Sequence, residues 1–217
     1  MDISGIRKEY TTRGLRRQDL LSDPMAQFDG WFQESVRCGV IEPNAMILGT
    51  HGMDGFPASR VVLLKGVVGR ELHFFTNYDS DKGHELDADD RASLTFFWPE
   101  LERQVRIQGR CSRVSHEVSD RYFQSRPRLS QVGAWVSDQS RIIPDRKFLE
   151  DRLVDEEKKW EGRDVERPPH WGGYAMSPFT FEFWQGREGR LHDRFRYTHP
   201  GDQEANPDAW IIHRLSP

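Results

Sequence analysis

The sequence predicts a mostly β protein, an antiparallel sheet or barrel with helices packed outside it. Three observations carry that expectation. Short strand-like runs follow one another at Ala45 to Thr50, Ala58 to Lys65, Glu71 to Asn77, Ala92 to Trp98 and Gln104 to Cys111. Turn signals separate them, notably Asp54-Gly55 and the Gly69 region. Few helical stretches lie between them.

With 217 residues the chain can bury a full core. Residues 1 to about 20 are polar, lack a period and read as a mobile arm; residues 21–217 read as a single domain. Asp23-Pro24 gives a helix N-cap followed by proline at the first helical position. Met25, Phe28, Phe32 and Val36 follow at helical spacing, and Gly39 stands where a C-terminal glycine belongs. In the strand after that, Val61-Val62-Leu63-Leu64 is apolar on both faces, so it is expected inside the sheet. Gln104 to Gln108 alternates, so one face meets water or a polar ligand. A helix is expected from Ser115 to a stop before Pro127, then a loop over Arg126 to Gln131. A second long helix follows Pro144 and runs to about Gly162, with Phe148, Leu149, Leu153 and Trp160 as its stripe. Arg167-Pro168-Pro169 connects into the final strands, and the last, Ala209 to Leu215, returns after a loop with Pro200-Gly201 and Pro207.

The densest stretch of chemistry is Phe183 to Arg194. It follows the alternating run Phe179 to Phe183, and Gln185 to Gly189 reads as a turn. Arg190, His192 and Arg194 are two apart, so on an extended chain they share one face. Such a row beside Trp184 suits a flat, anionic, hydrogen-bonding ligand; by itself it would equally make a solvated edge strand.

Composition excludes several classes. Charged residues are 30% and aromatics 12%, as in a soluble globular protein. A net charge of -4 does not attract nucleic acid, and the cluster Arg13, Arg16, Arg17 reads as a solvated arm. No apolar run is long enough to cross a bilayer and the N-terminus lacks a signal-peptide core, so a cytoplasmic location is expected. Cys38 and Cys111 are too few for a disulfide framework or a thiolate zinc site, and the eight histidines have no ligand spacing. Neither G-x-G-x-x-G, the P-loop, H-E-x-x-H nor G-x-S-x-G is present. What remains are basic and hydroxyl residues beside strands and loops: Arg60, Lys65, Thr76, Lys82, Tyr122, Arg126, Ser130, Gln139 and Ser140. Singly each has a structural explanation, Lys65 for instance snorkelling to water. Converging, they are what two phosphate dianions require.

Several stretches, in order and over nearly the whole chain, carry a family resemblance. They include Arg60 to Lys65, Phe75-Thr76-Asn77, Leu101 to Val105, Ser125 to Arg128, Gln131 to Trp135, Gln139-Ser140, Trp171 to Tyr174, Glu182 to Gly186 and Arg190 to Arg194. Together they resemble the pyridoxamine 5'-phosphate oxidase (pyridoxine 5'-phosphate oxidase) family. The resemblance implies a split β-barrel binding FMN at the interface of a homodimer, both subunits lining each site. It implies FMN contacts at Arg60, Val61, Val62, Leu63, Leu64, Lys65, Phe75, Thr76, Lys82, Gln104, Gln139, Ser140, Trp184 and Arg194. It places the substrate phosphate on Lys65, Tyr122, Arg126 and Ser130, with Arg190 and His192 over the pyridine ring as the catalytic pair and Arg7 with Tyr10 as a lid. The implied reaction oxidises pyridoxamine or pyridoxine 5'-phosphate with dioxygen to pyridoxal 5'-phosphate and hydrogen peroxide. One position departs: Asp81 stands where the family usually has an arginine that contacts the FMN phosphate, and Arg141 is a candidate to supply that charge. The rival readings are another split-barrel flavin oxidase, such as a phenazine-biosynthesis type, and a non-catalytic flavin- or pyridoxal phosphate-binding protein.

Overall fold

The alternating runs assemble into one curled antiparallel sheet. The protein was analysed as a computed structural model, which describes Met1, Ile3, Gly5, Glu9, Tyr10, residues 14–200 and residues 209–217. In chain order it forms α1 (Pro24–Arg37), β1 (Ala45–His51), β2 (Pro57–Leu63), β3 (Gly66–Val68), β4 (Glu71–Asn77) and α2 (Asp81–Ala88). There follow β5 (Arg91–Trp98), β6 (Arg103–Arg113), α3 (His116–Ser125), α4 (Arg128–Val136), α5 (Arg146–Lys159), β7 (Trp171–Gln185), β8 (Asp193–Thr198) and β9 (Ile211–Leu215). Strand order is β2-β1-β5-β6-β7-β4-β3, with β8 on β7 and β9 on β8. No described helix is long and apolar enough to cross a membrane.

β7 splits the sheet. β6 runs along nearly its whole length, while Trp171 to Met176 pair with β4 and Thr180 to Gln185 pair with β8. The change of partner coincides with a register shift in β6 at Gln108/Gly109. Glycine is needed there, since a Cβ on Gly109 would lie 2.5 Å from the Ser177 carbonyl oxygen. The sheet curls far enough that the Lys65 N–H, just past β2, donates to the His73 carbonyl of β4 at 2.8 Å.

Inward residues of the strands fill the barrel. Leu48, Leu94, Phe96, Val105, Ile107, Phe181 and Phe183 are fully buried, each worth ~1.5–3 kcal/mol of burial. α1 closes one end, with Phe28 5.0 Å from Phe96 and Trp31 5.2 Å from Phe183 between ring centroids. The expected cap is present: the Asp23 carboxylate accepts from the Met25 N–H at 3.1 Å. Beneath α3, α4 and α5 a smaller core gathers Phe123, Val132, Val136, Trp160 and Trp171.

Five expectations need correction. β2 is not inside the sheet but at its edge, and Val61 is 66% exposed, so its apolar run leaves one face open. α3 stops before Pro127 as expected, but α4 occupies chain expected to be loop, because Pro127 also sits at the N-cap of the following helix, where its missing N–H costs no bond. α2 had no apolar stripe to reveal it, Leu86 being its one buried large apolar side chain. In α5 the expected stripe is shallow, with Phe148 exposed and the fully buried Trp160 just past the last turn. Leu15 and Leu20 belong to the core, so packed chain begins ahead of residue 21. Arg7, Arg13 and the Gly201 and Pro207 part of the last loop lie outside the described residues.

Gly83 in α2 tests the packing. A Cβ there would fall 1.9 Å from the Tyr78 carbonyl oxygen, a backbone atom that cannot swing away. Alanine gains helix propensity of about 1 kcal/mol, whereas overpacking costs ~1–3 kcal/mol or more. Gly83→Ala is therefore expected to lower the melting temperature; an equal or higher one would contradict the close approach.

Candidate active site

A cavity of about 850 Å³ opens between β2 and β4 on one side and α3 and α4 on the other. Arg60, Val61, Val62, Leu63 and Lys65 line it from β2 and the residues just after; Phe75 and Thr76 line it from β4 and Lys82 from α2. Tyr122, Arg126 and Ser130 close the helical side, with Gln139 and Ser140 from the loop after α4. Thirteen of the expected residues thus share one space, from five separate stretches of chain. Leu64 does not: it is 7% exposed and belongs to the core. Asn77, Asp81, Gly133, Ser137 and Trp171 also line the cavity and were not singled out as site residues from the sequence. The motifs Phe75-Thr76-Asn77 and Trp171-Gly172-Gly173 contained two of them.

Local bonding fixes these groups. Arg60 is tied at its guanidinium, Nη2 donating to Glu85 at 2.7 Å and Nη1 donating to Thr50 Oγ1. Lys82 is buried, its Nζ 3.2 Å from Ser80 Oγ and 3.1 Å from Gln139 Oε1, and Thr76 Oγ1 donates to the same Gln139 oxygen at 3.3 Å. Burial first, and Arg60 second, push the Lys82 pKa below its ordinary value, with Asp81 and Glu85 opposing. Arg126 is likewise lowered by burial, and its Nη1 is buried without a hydrogen-bond partner among the described residues. Ser140 takes a positive φ of 71°, a backbone conformation that L-residues rarely adopt, beside the cavity.

Asp81 stands at the cavity wall, at the start of α2. Arg141 is its neighbour, Nη2 3.6 Å from Asp81 Oδ1 and 2.8 Å from the Asp79 carbonyl oxygen. Arg141 does not itself line the cavity.

The remaining expected residues form a second cluster outside this cavity. Gln104 on β6 sits in register with Trp184 on β7, which sits in register with Arg194 on β8. Tyr10 meets Trp184 at 5.8 Å and His192 at 5.5 Å, and Trp184 lies 4.6 Å from His192, between ring centroids. Arg194 donates to Glu182 at 2.8 Å and to the Ser216 carbonyl at 2.9 Å. Burial opposes the Glu182 charge, but bonds from Arg194 and Arg196 outweigh it and hold the carboxyl below its usual range. Arg190 is exposed, in a one-turn 3₁₀ helix (Glu188–Arg190) where Gly189 and Arg190 have φ of 62° and 61°. The extended row expected from Arg190 to Arg194 therefore does not form, because these left-handed residues curl the chain before β8. The backbone N–H of Arg187 donates to His192 Nδ1 at 3.1 Å, which leaves the neutral ring's proton on Nε2.

Fold and cavity together define a split-barrel protein with a cationic, hydroxyl-rich site suited to a phosphorylated ligand. The family model "Pyridoxamine 5'-phosphate oxidase" matches residues 32–159, and "Pyridoxine 5'-phosphate oxidase C-terminal dimerisation region" matches residues 171–217. The chain belongs to the pyridoxamine 5'-phosphate oxidase family. A pyridoxine/pyridoxamine 5'-phosphate oxidase of Rubrobacter xylanophilus is 52% identical, over 100% of this chain and 97% of that one. A protein of the same name from a Cyanothece strain is 50% identical, over 100% and 99%. Among solved structures, PhzG from Burkholderia lata, in complex with tetrahydrophenazine-1-carboxylic acid, has a TM-score of 0.87 at 28% identity, covering 97% of this chain and 100% of its own. A pyridoxamine 5'-phosphate oxidase-related FMN binding protein from Nostoc punctiforme shares the fold, with a TM-score of 0.69 at 15% identity over 90% and 98%.

His192 offers a test of the second cluster. Burial, then Arg190, lower its pKa below 6.5, so the folded loop favours the neutral ring. Its contribution is intact above 6.5 and is lost as the pH falls through the folded value, because the unfolded chain protonates first. Histidine NMR is expected to show an Nε2–H tautomer with a midpoint below 6.5; a midpoint above it would contradict this environment.

Proposed function

We propose that the chain is an FMN-dependent oxidase, acting in the cytoplasm, that converts pyridoxamine 5'-phosphate and pyridoxine 5'-phosphate to pyridoxal 5'-phosphate, with dioxygen as acceptor and hydrogen peroxide released, and with water entering and ammonia leaving when the amine is the substrate. One observation carries this reading. Lys65, Lys82 and Arg126 line one cavity, and neither lysine nor Arg126 has a carboxylate within ion-pair distance among the described residues. Lys82 is buried and Arg126 half-buried, and cations so placed are costly unless an anion arrives. Two phosphates would satisfy them, and ~300–1,000 Å³ is the usual range for a ligand pocket.

The donor set fits FMN. Arg60 to Lys65, Phe75, Thr76, Lys82, Gln139 and Ser140 would hold it from one protomer, and Gln104, Trp184 and Arg194 from a second. Support for the second copy comes from one face of the sheet. Val61 pairs with Ile47, Ile47 with Thr95, and Phe97, two residues on, with Gln104; Gln104 pairs with Trp184 and Trp184 with Arg194. Side chains in such a chain of pairs point to one side. That side exposes Val61, Ile47 and Phe97, and a homodimer burying it would bring the second cluster to a partner's cavity.

When bound, FMN would supply the redox chemistry, as hydride acceptor for the substrate and electron donor for dioxygen. The protein's own part is binding and charge. Lys65, Tyr122, Arg126 and Ser130 hold the substrate phosphate. Arg190 orients the substrate and stabilises developing charge, while His192 presents its Nε2–H to the ring. Tyr10, seated on Trp184 and His192, covers that group; Arg7, expected beside it in the lid, lies outside the described residues. Both cysteines are free thiols, in keeping with a reducing compartment.

A phenazine-type substrate, suggested by the likeness to PhzG and its tetrahydrophenazine-1-carboxylic acid, would bring one carboxylate charge where Lys65, Tyr122, Arg126 and Ser130 offer partners for a phosphate's three oxygens. A carrier would have no use for Arg190 and His192. Adding pyridoxamine 5'-phosphate to the yellow protein is expected to release peroxide stoichiometrically. Unphosphorylated pyridoxamine is expected to lose roughly 100-fold or more in kcat/KM, as charge-assisted bonds of about 1.5–3 kcal/mol each imply. Equal rates with both, or no peroxide, would remove the proposal.

A further inference from the structure

Arg126 follows α3 at a point where the fold offers its guanidinium an aromatic face instead of a carboxylate. Its Cζ lies 4.5 Å from the Trp171 ring centroid, both residues line the cavity, and its buried Nη1 has no hydrogen-bond partner among the described residues. Trp171 is itself held from several sides. Its ring is nearly parallel to Phe75, at 5.8 Å and 15°, and to Tyr122, at 6.1 Å and 10°, and meets Phe123 edge-on at 5.3 Å. Its carbonyl accepts from Arg167 Nη1 at 2.6 Å and its N–H donates to the Pro168 carbonyl at 3.1 Å. Gly173, opposite Phe75 in the β4–β7 ladder, leaves the space: a Cβ there would meet Phe75 Cε1 at 2.7 Å.

We propose that Trp171 is a positioning residue for the ligand's phosphate, acting through Arg126; this rests on the function proposed above. A carboxylate would hold the guanidinium equally well but would neutralise it and repel an incoming dianion. The indole face attracts the cation without adding a negative charge, so the guanidinium is oriented and its donors stay available. The stack on Phe75 and Tyr122 keeps the indole from tilting toward the space the phosphate would take.

The test uses flavin-loaded protein and calorimetric binding of pyridoxal 5'-phosphate, with pyridoxal as the phosphate-free control and melting temperature as the check on folding. Trp171→Leu is expected to weaken pyridoxal 5'-phosphate binding roughly tenfold, and Trp171→Phe about two- to threefold, with pyridoxal binding unchanged in both. In an Arg126→Leu background Trp171→Leu is expected to add nothing, because the interaction it removes is already gone. Equal affinity of Trp171→Leu and wild type, the same loss for pyridoxal, or an undiminished loss on top of Arg126→Leu would each overturn the role of Trp171. Should the leucine variant not fold, the phenylalanine variant decides by the same contrast between the two ligands. Wild-type protein that fails to bind pyridoxal 5'-phosphate would instead remove the functional reading itself.

Discussion

The continuity of β7 is the constraint on which the rest of the structure depends. One unbroken strand pairs with β4 at its start and with β8 at its end, so each end organises a different set of functional side chains. The first end sets Trp171 and Gly173 beneath Phe75 and Arg126, at the cavity. The other end sets Trp184 between Gln104 and Arg194 and beneath His192 and Tyr10. At about 3.3 Å of rise per residue, Trp171 and Trp184 are roughly 40 Å apart along the strand path. That is too far for one ring system to touch both ends within a protomer, and it is why a second copy enters the functional proposal.

Charge follows the same division. At the cavity, cations outnumber their partners: Arg60 has Glu85, Asp81 has Arg141, and Lys65, Lys82 and Arg126 have no carboxylate within ion-pair distance among the described residues. At the other end the balance is local, with Glu182 receiving Arg194 and Arg196, and Asp193 bonding Arg214 and the Leu15 N–H. A site short of negative charge is poised for an anionic ligand; one already neutralised is poised to present shape and hydrogen bonds. The aspartate at position 81 reduces this contrast, though Arg141, 3.6 Å away, partly offsets its charge.

What could be read in the sequence was what local chemistry determines. Asp23-Pro24 specifies the start of α1 by capping alone, and period-two alternation marks β5 and β6. The composition of the cavity was legible because Arg60, Lys65, Thr76 and Arg126 stand in stretches that resemble one family. Position in space was not legible. Pro127 looks the same whether it stops one helix or starts the next, and Val61-Val62 looks the same inside a sheet as on a face awaiting a partner. The alternation of Arg190, His192 and Arg194 suggested a strand, but the glycine at 189 and the left-handed Arg190 allowed a turn. Trp171 was visible as part of a motif, yet its relation to Arg126 depends on a loop, two helices and a strand meeting.

The assembly of one site from two copies is tested most directly by mixing lesions. One variant carries Lys65→Met with Arg126→Met at the cavity, the other Arg190→Met with His192→Asn at the far end of β7, each expected to be inactive alone. Co-expressed in equal amounts, they are expected to recover about a quarter of wild-type activity, because half the dimers are mixed and each holds one intact site. Recovery no greater than the sum of the two separate variants would contradict a site shared between subunits.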